Sequence, residues 1–149
     1  MIQEDVKTAT IAAMKARESE KVNTLRGLTA AFTNELVAKG MKPTEALPDE
    51  DALAVIRREV KKRKEAAEAF ANAGRTESAE KERAEQALLE AYLPAQASEE
   101  DIKKVVLAKK DELGITEKKD MGRLMGAVMQ EFKGNADGET VKSVVSAIL

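Results

Sequence analysis

The densest chemistry in this chain is the run Arg57-Arg58-Glu59-Val60-Lys61-Lys62-Arg63-Lys64, six cations and one carboxylate in eight consecutive positions. At helical spacing, Arg57, Lys61 and Lys64 form one stripe, and Arg58 and Lys62 form the next. Parallel rows of guanidinium and ammonium groups suit a phosphate backbone. No aromatic residue interleaves with them, so stacking on bases is not indicated, and any readout would be of backbone and shape. The competing description is a solvated helix face, its cations paired with Glu65, Glu68 and the later acids Glu77, Glu80, Glu82 and Glu85. Arg63 falls on the apolar seam of this helix, where a charge is out of place.

Two further stretches could bind something. Lys133-Gly134-Asn135-Ala136-Asp137-Gly138 joins two helical segments. Its glycines permit positive φ, and Asp137 can cap the following helix. Free N–H groups beside Lys133 could meet a phosphate there, but Asp137 competes for the same donors, and a structural turn is the alternative. Upstream, Met121, Leu124, Met125, Val128, Met129 and Phe132 define one apolar helix face. Gly122 and Gly126 lie four apart on its flank. Each costs about 1 kcal/mol of helix stability relative to Ala, so close packing of another helix, or of a partner backbone, is expected there.

Catalysis finds little support. The chain has no Cys and no His. A Cys- or His-based zinc site and a disulfide are thereby excluded. There is no phosphate-binding loop of the P-loop or dinucleotide type, and no spacing singles out a Lys or Glu base. No cofactor or metal is expected.

The elements that must position these residues are helical throughout. Charged residues make up 35% of the chain and aromatics 3%, a balance that favours helices over a sheet-rich core. The 25 basic and 27 acidic residues nearly cancel, so only the distribution of charge can argue for a nucleic acid. The first helix is predicted over about 3–17, with Ile2, Val6, Ala9 and Ala13 on one face. The second covers about 20–39 on Val22, Leu25, Phe32 and Leu36, and Gly40 stops it. Residues 41–48 hold two prolines and read as a loop. The third helix starts near Asp49 as N-cap, with Leu53, Ile56, Val60, Ala67 and Phe70 as its seam, and ends at Gly74. The fourth, about 77–92 with Thr76 as cap, is polar until Leu88, Leu89 and Tyr92, and must lean on ion pairs or a partner in its first half.

Pro94 cannot continue a helix, and Ser98-Glu99-Glu100-Asp101 resembles a capping box with Asp in its last place. The expected division is a four-helix part, 1–93, a Pro hinge, and a small three-helix bundle, 94–149. The last three helices cover about 99–113, closed by Gly114, then 117–132 and 138–148. No apolar run approaches the roughly 18 residues of a membrane span, and the first residues lack the basic-then-apolar order of a signal peptide. A cytoplasmic location is the expectation.

Taken together, Asp120-Met121-Gly122-Arg123-Leu124-Met125-Gly126, then Gly134-x-Ala136-Asp137-Gly138 and a Val-rich last helix, resemble the GatB/YqeY family. The likeness extends upstream through Leu25-Arg26, Glu59-Val60-Lys61-Lys62-Arg63-Lys64, Tyr92-Leu93-Pro94 and Ser98-Glu99-Glu100, and so covers nearly the whole chain. The resemblance is to the small stand-alone YqeY-like proteins. It implies the fold of the C-terminal tail of the B subunit of glutamyl/aspartyl-tRNA amidotransferase, a larger helical bundle plus a three-helix lobe. That enzyme converts Glu-tRNA(Gln) to Gln-tRNA(Gln) with glutamine or ammonia and ATP. Its tail helps to hold the tRNA body, whereas its metal and ATP chemistry lie in another domain. Lys133-Gly134-Asn135-Ala136 matches a motif before the tail's final helix. A carbon–nitrogen ligase label, with glutamine as amido-N-donor, would thus reach this chain by domain similarity and not through active-site residues.

The expectation is a non-catalytic tRNA-binding module. Its contacts would come from Arg57, Arg58, Lys61 and Lys62, with Arg123, Lys133 and Lys142 on the small lobe. The alternative is a protein-interaction module whose small lobe docks a cytosolic partner such as a tRNA synthetase or an amidotransferase.

Overall fold

The computed structural model describes residues 1–133 and 135–149. Among them are seven α-helices and no strand: α1 (Ile2–Lys15), α2 (Ser19–Ala38), α3 (Asp49–Asn72), α4 (Thr76–Glu90), α5 (Glu99–Leu113), α6 (Met121–Phe132) and α7 (Gly138–Ile148). They form two compact units, Met1–Leu93 and Pro94–Leu149.

The first unit packs Val6 of α1, Leu25, Leu28, Phe32 and Leu36 of α2, Val55 and Ile56 of α3 and Leu89 of α4 into one core. The prolines of the 41–48 segment set Leu47 into that core, fully buried. This loop is tied down by its backbone: the Leu47 N–H donates to Gln3 Oε1 at 2.8 Å. Gly40 and Gly74 follow α2 and α3 with φ of 74° and 76°, the left-handed geometry that ends a helix without a Cβ penalty. Asp49 is the first residue of α3, with Pro48 as its N-cap. The Asp49 carboxylate instead accepts the Ile2 N–H at 2.9 Å, joining α1 to α3. Thr76 is likewise the first residue of α4.

The 24 residues of α3 outrun this core. Residues up to Val60 touch it; beyond them Ala67 of α3 and Ala79 of α4 are buried outside it. The second half of α3 and the first half of α4 therefore make a two-helix arm closed by small side chains. At its tip the Arg75 guanidinium lies 5.1 Å over the Phe70 ring.

The second unit buries Ile102 and Val106 of α5, Leu124 and Val128 of α6, and Val141, Val144 and Val145 of α7. Ser98 caps α5, accepting the Asp101 N–H at 3.1 Å. The Ala97 N–H donates to Asn135 O at 2.7 Å, which ties the stretch after Pro94 to the α6–α7 connection. The helix predicted from 117 begins as α-helix only at Met121, after a 3₁₀ turn over Lys118–Asp120.

Candidate nucleic-acid interface

The basic run splits by face. Ile56 and Ala67 of the predicted seam are buried, while Leu53, Val60 and Phe70 are only partly so; Ala52 and Val55, one position earlier than Leu53 and Ile56, are buried too and widen the inner stripe. Glu59 and Arg63 fall on this inner side. Arg63 Nη1 is 2.8 Å from Glu59 Oε2, and Arg63 Nε is 3.6 Å from Glu85 Oε2 on α4. Nη1 also donates to the Glu59 carbonyl at 3.1 Å. Arg63 is therefore a structural link between the two helices of the arm. Burial raises the Glu59 pKa, but the hydrogen bonds from Arg63 and Lys62 and their charges outweigh it, so the carboxyl ends below its ordinary range.

Arg58, Lys61, Lys62 and Lys64 face solvent, and Arg57 is half-buried. Arg58 Nη2 is 2.6 Å from Glu35 on α2, and Lys62 Nζ is 3.3 Å from Glu59. Lys61 and Lys64 have no ion pair among the described residues. Of the α4 acids, Glu85 reaches the run, at Arg63. Lys64 shares the stripe of Arg57 and Lys61 and is exposed like Lys61.

The remaining predicted contacts lie in the second unit. Arg123, Lys133 and Lys142 are exposed and without an ion pair among the described residues. Arg123 and Lys133 mark opposite ends of α6, about 15 Å apart along its axis. Lys142 stands on α7.

Met121 and Met125 are half-buried against the small core, and Ala136 is buried in it. Gly122 and Gly126 contradict the expectation of close packing inside the bundle: both are exposed, and a Cβ built on either meets nothing within 4 Å. The apolar face of α6 turns inward far enough to leave its flank in solvent. Lys133 takes the left-handed conformation at the end of α6, with φ of 50°, whereas Gly138 is the first residue of α7. Gly134 lies outside the described residues. The Asp137 carboxylate accepts the Thr140 N–H at 3.2 Å and the Thr140 hydroxyl at 2.9 Å. It thus already fills the start of α7, where a phosphate had been considered.

No cluster of carboxylates among the described residues could hold a metal ion. A cleft of about 450 Å³ between the start of α2 and α4 is lined by charged and hydroxyl side chains, among them Glu18, Ser19, Lys21, Thr24, Lys81 and Glu85.

The outward cations and the α6–α7 motif sit within a single family match. Residues 2–149 match the family described as YqeY-like protein. The chain belongs to the YqeY-like family. It is 29% identical to a Pyrenophora tritici-repentis protein named "Altered inheritance of mitochondria protein 41, mitochondrial", over 99% of this chain and 78% of that protein. It is 33% identical to an uncharacterized protein of Schizosaccharomyces pombe, over 65% of this chain and 76% of that one. The YqeY-like match spans both units, so the arm and the small bundle are both family features. Among the described residues no helix is long and apolar enough to cross a membrane.

Proposed function

We propose that this YqeY-like chain is a non-catalytic RNA-binding module whose target is tRNA, acting in the cytoplasm. The observation that carries the reading is the outer face of α3, where Lys61 and Lys64 stand exposed and unpaired among the described residues beside Arg57, Arg58 and Lys62. Lys61, Lys62 and Lys64 sit on the outside of the arm and Arg57 and Arg58 at its root, and α3 has no large apolar side chain in full exposure that a protein partner would bury. All four aromatic residues are buried or half-buried, so no platform for unpaired bases is offered. The target is then the backbone of a double-helical region, held by charge and shape. The absence of Cys and His from the sequence supports a module over an enzyme, and the ligase label of the wider family is a property of domain likeness.

The test is fluorescence anisotropy of the protein with total tRNA across a salt series, beside a duplex RNA and a single strand of the same composition. The control changes Arg57, Arg58, Lys61 and Lys62 to Glu. Binding to tRNA and duplex that weakens with salt and disappears in the control supports the reading. Absence of binding at low salt sinks it.

A second reading, a protein partner docked on the small lobe, is favoured by the open space at Gly122 and Gly126, where a backbone could approach α6 closely.

A further inference from the structure

We propose that the outer face of the α1–α2 pair docks an acidic amphipathic helix of a partner protein. The core takes Val6 and the Leu25–Leu36 stripe from these helices. Their other sides expose large apolar side chains: Ile11 is 47% exposed, Met14 50% and Val37 56%. These residues follow helical spacing. Lys7, Ile11 and Met14 stand at i, i+4 and i+7 on one flank of α1. Arg26, Ala30 and Val37 stand at i, i+4 and i+11 on one flank of α2. Only Ala16–Glu18 separate the two helices, so they run as an antiparallel hairpin. The two flanks meet, because Arg26 Nη2 lies 3.8 Å from Met14 Sδ. Met14 and Arg26 therefore share one surface, with Lys7 and Ile11 beside Met14 on α1.

Charge names the occupant. Lys7 and Arg26 lie on this surface, Lys15 and Arg17 at its edge, and none of the four has an ion pair among the described residues. The carboxylate on the same side of α1 is Glu4, which makes no ion pair either. Lys39, by contrast, is held by Asp51 at 2.8 Å. A nucleic acid would use the cations but leave Ile11 and Met14 in water. A helix with an apolar stripe flanked by carboxylates uses both, the apolar stripe lying on Ile11 and Met14 and the acids reaching Lys7, Lys15 and Arg26.

The full-length protein, methyl-labelled at Ile and Met, would be titrated with an 18-residue synthetic peptide bearing Leu at i, i+3, i+4 and i+7 flanked by Glu. A second peptide replaces every Glu by Lys. The expected result is that the Ile11 and Met14 methyl signals shift with the acidic peptide while those of Ile56 and Met125 do not. The double variant Met14→Glu, Arg26→Glu, both positions exposed, should weaken binding at least tenfold with an unchanged circular dichroism spectrum. The proposal is overturned if the acidic peptide shifts nothing, or if the basic peptide binds equally. It is also overturned if the same methyls respond instead to RNA, to anionic phosphatidylglycerol vesicles, or to protein concentration alone, as a second copy would require.

Discussion

Arg63 lies 2.8 Å from Glu59, one helical turn before it, and both side chains are only 16% exposed. Such a pair is costly to half-dismantle, since the remaining carboxylate keeps its desolvation without its partner. Arg63→Ala should lower stability by about 1–3 kcal/mol, seen as a lower urea midpoint. The pH dependence has a definite sign. Glu59 titrates below its ordinary value of 4.5, so ionised Glu59 contributes stability that is complete above that pH and is lost as pH falls through its folded value. Glu59→Gln should flatten the stability–pH curve in that acid range and leave its slope near neutrality unchanged.

Lys61 and Lys64 should matter more to RNA than Arg58 does. Arg58 already holds Glu35 at 2.6 Å, and a phosphate must displace that contact. Lys61→Ala and Lys64→Ala should each reduce the log–log salt slope by roughly 0.7–0.9, the loss of one phosphate contact. Arg58→Ala should change it less. Equal effects from all three in an anisotropy salt series would contradict the geometry.

Gly122→Ala and Gly126→Ala should each stabilise the protein, by up to about 1 kcal/mol. A new Cβ meets nothing at either position, so no clash opposes the gain in helix propensity. Thermal unfolding followed by circular dichroism measures this. If a partner packs on that flank, the same substitutions should weaken its binding while raising the melting temperature.

A fragment of residues 1–93 should fold alone. Its core is drawn entirely from α1 to α4, the 41–48 loop and the residues just after α4. Its circular dichroism should retain the helix content of this segment and unfold cooperatively in urea. A fragment that is largely unstructured at 25 °C would contradict an independent core.

The helices were legible because their signals are local. Gly40, Gly74 and Gly114 all adopt positive φ at helix ends, and Ser98 and Asp137 both cap the helices they precede. The all-α class and the YqeY-like membership followed from composition and from motifs spread along the chain. What escaped was anything set by a neighbouring helix. Arg63 looked misplaced because one of its two partners, Glu85, is on α4, far along the chain, while Glu59 is one turn away on α3. The glycine flank of α6 looked packed because two glycines signal close approach, and sequence cannot say whether the neighbour belongs to the same molecule. Ile11 and Met14 drew no notice, because exposed apolar residues become a surface only when a second helix lines up beside them.

From Asp49 to Asn72, α3 has no glycine or proline. It is about 36 Å of unbroken helix, gripped by the core over its first half alone. Mechanically it is a cantilever: a load at its free end is borne at the root, by Val55 and Ile56. A ligand on the arm would therefore be felt in the core, as slower amide exchange through α3 on both sides of Val60. The molecule would report occupancy of the arm's cations from inside its own root.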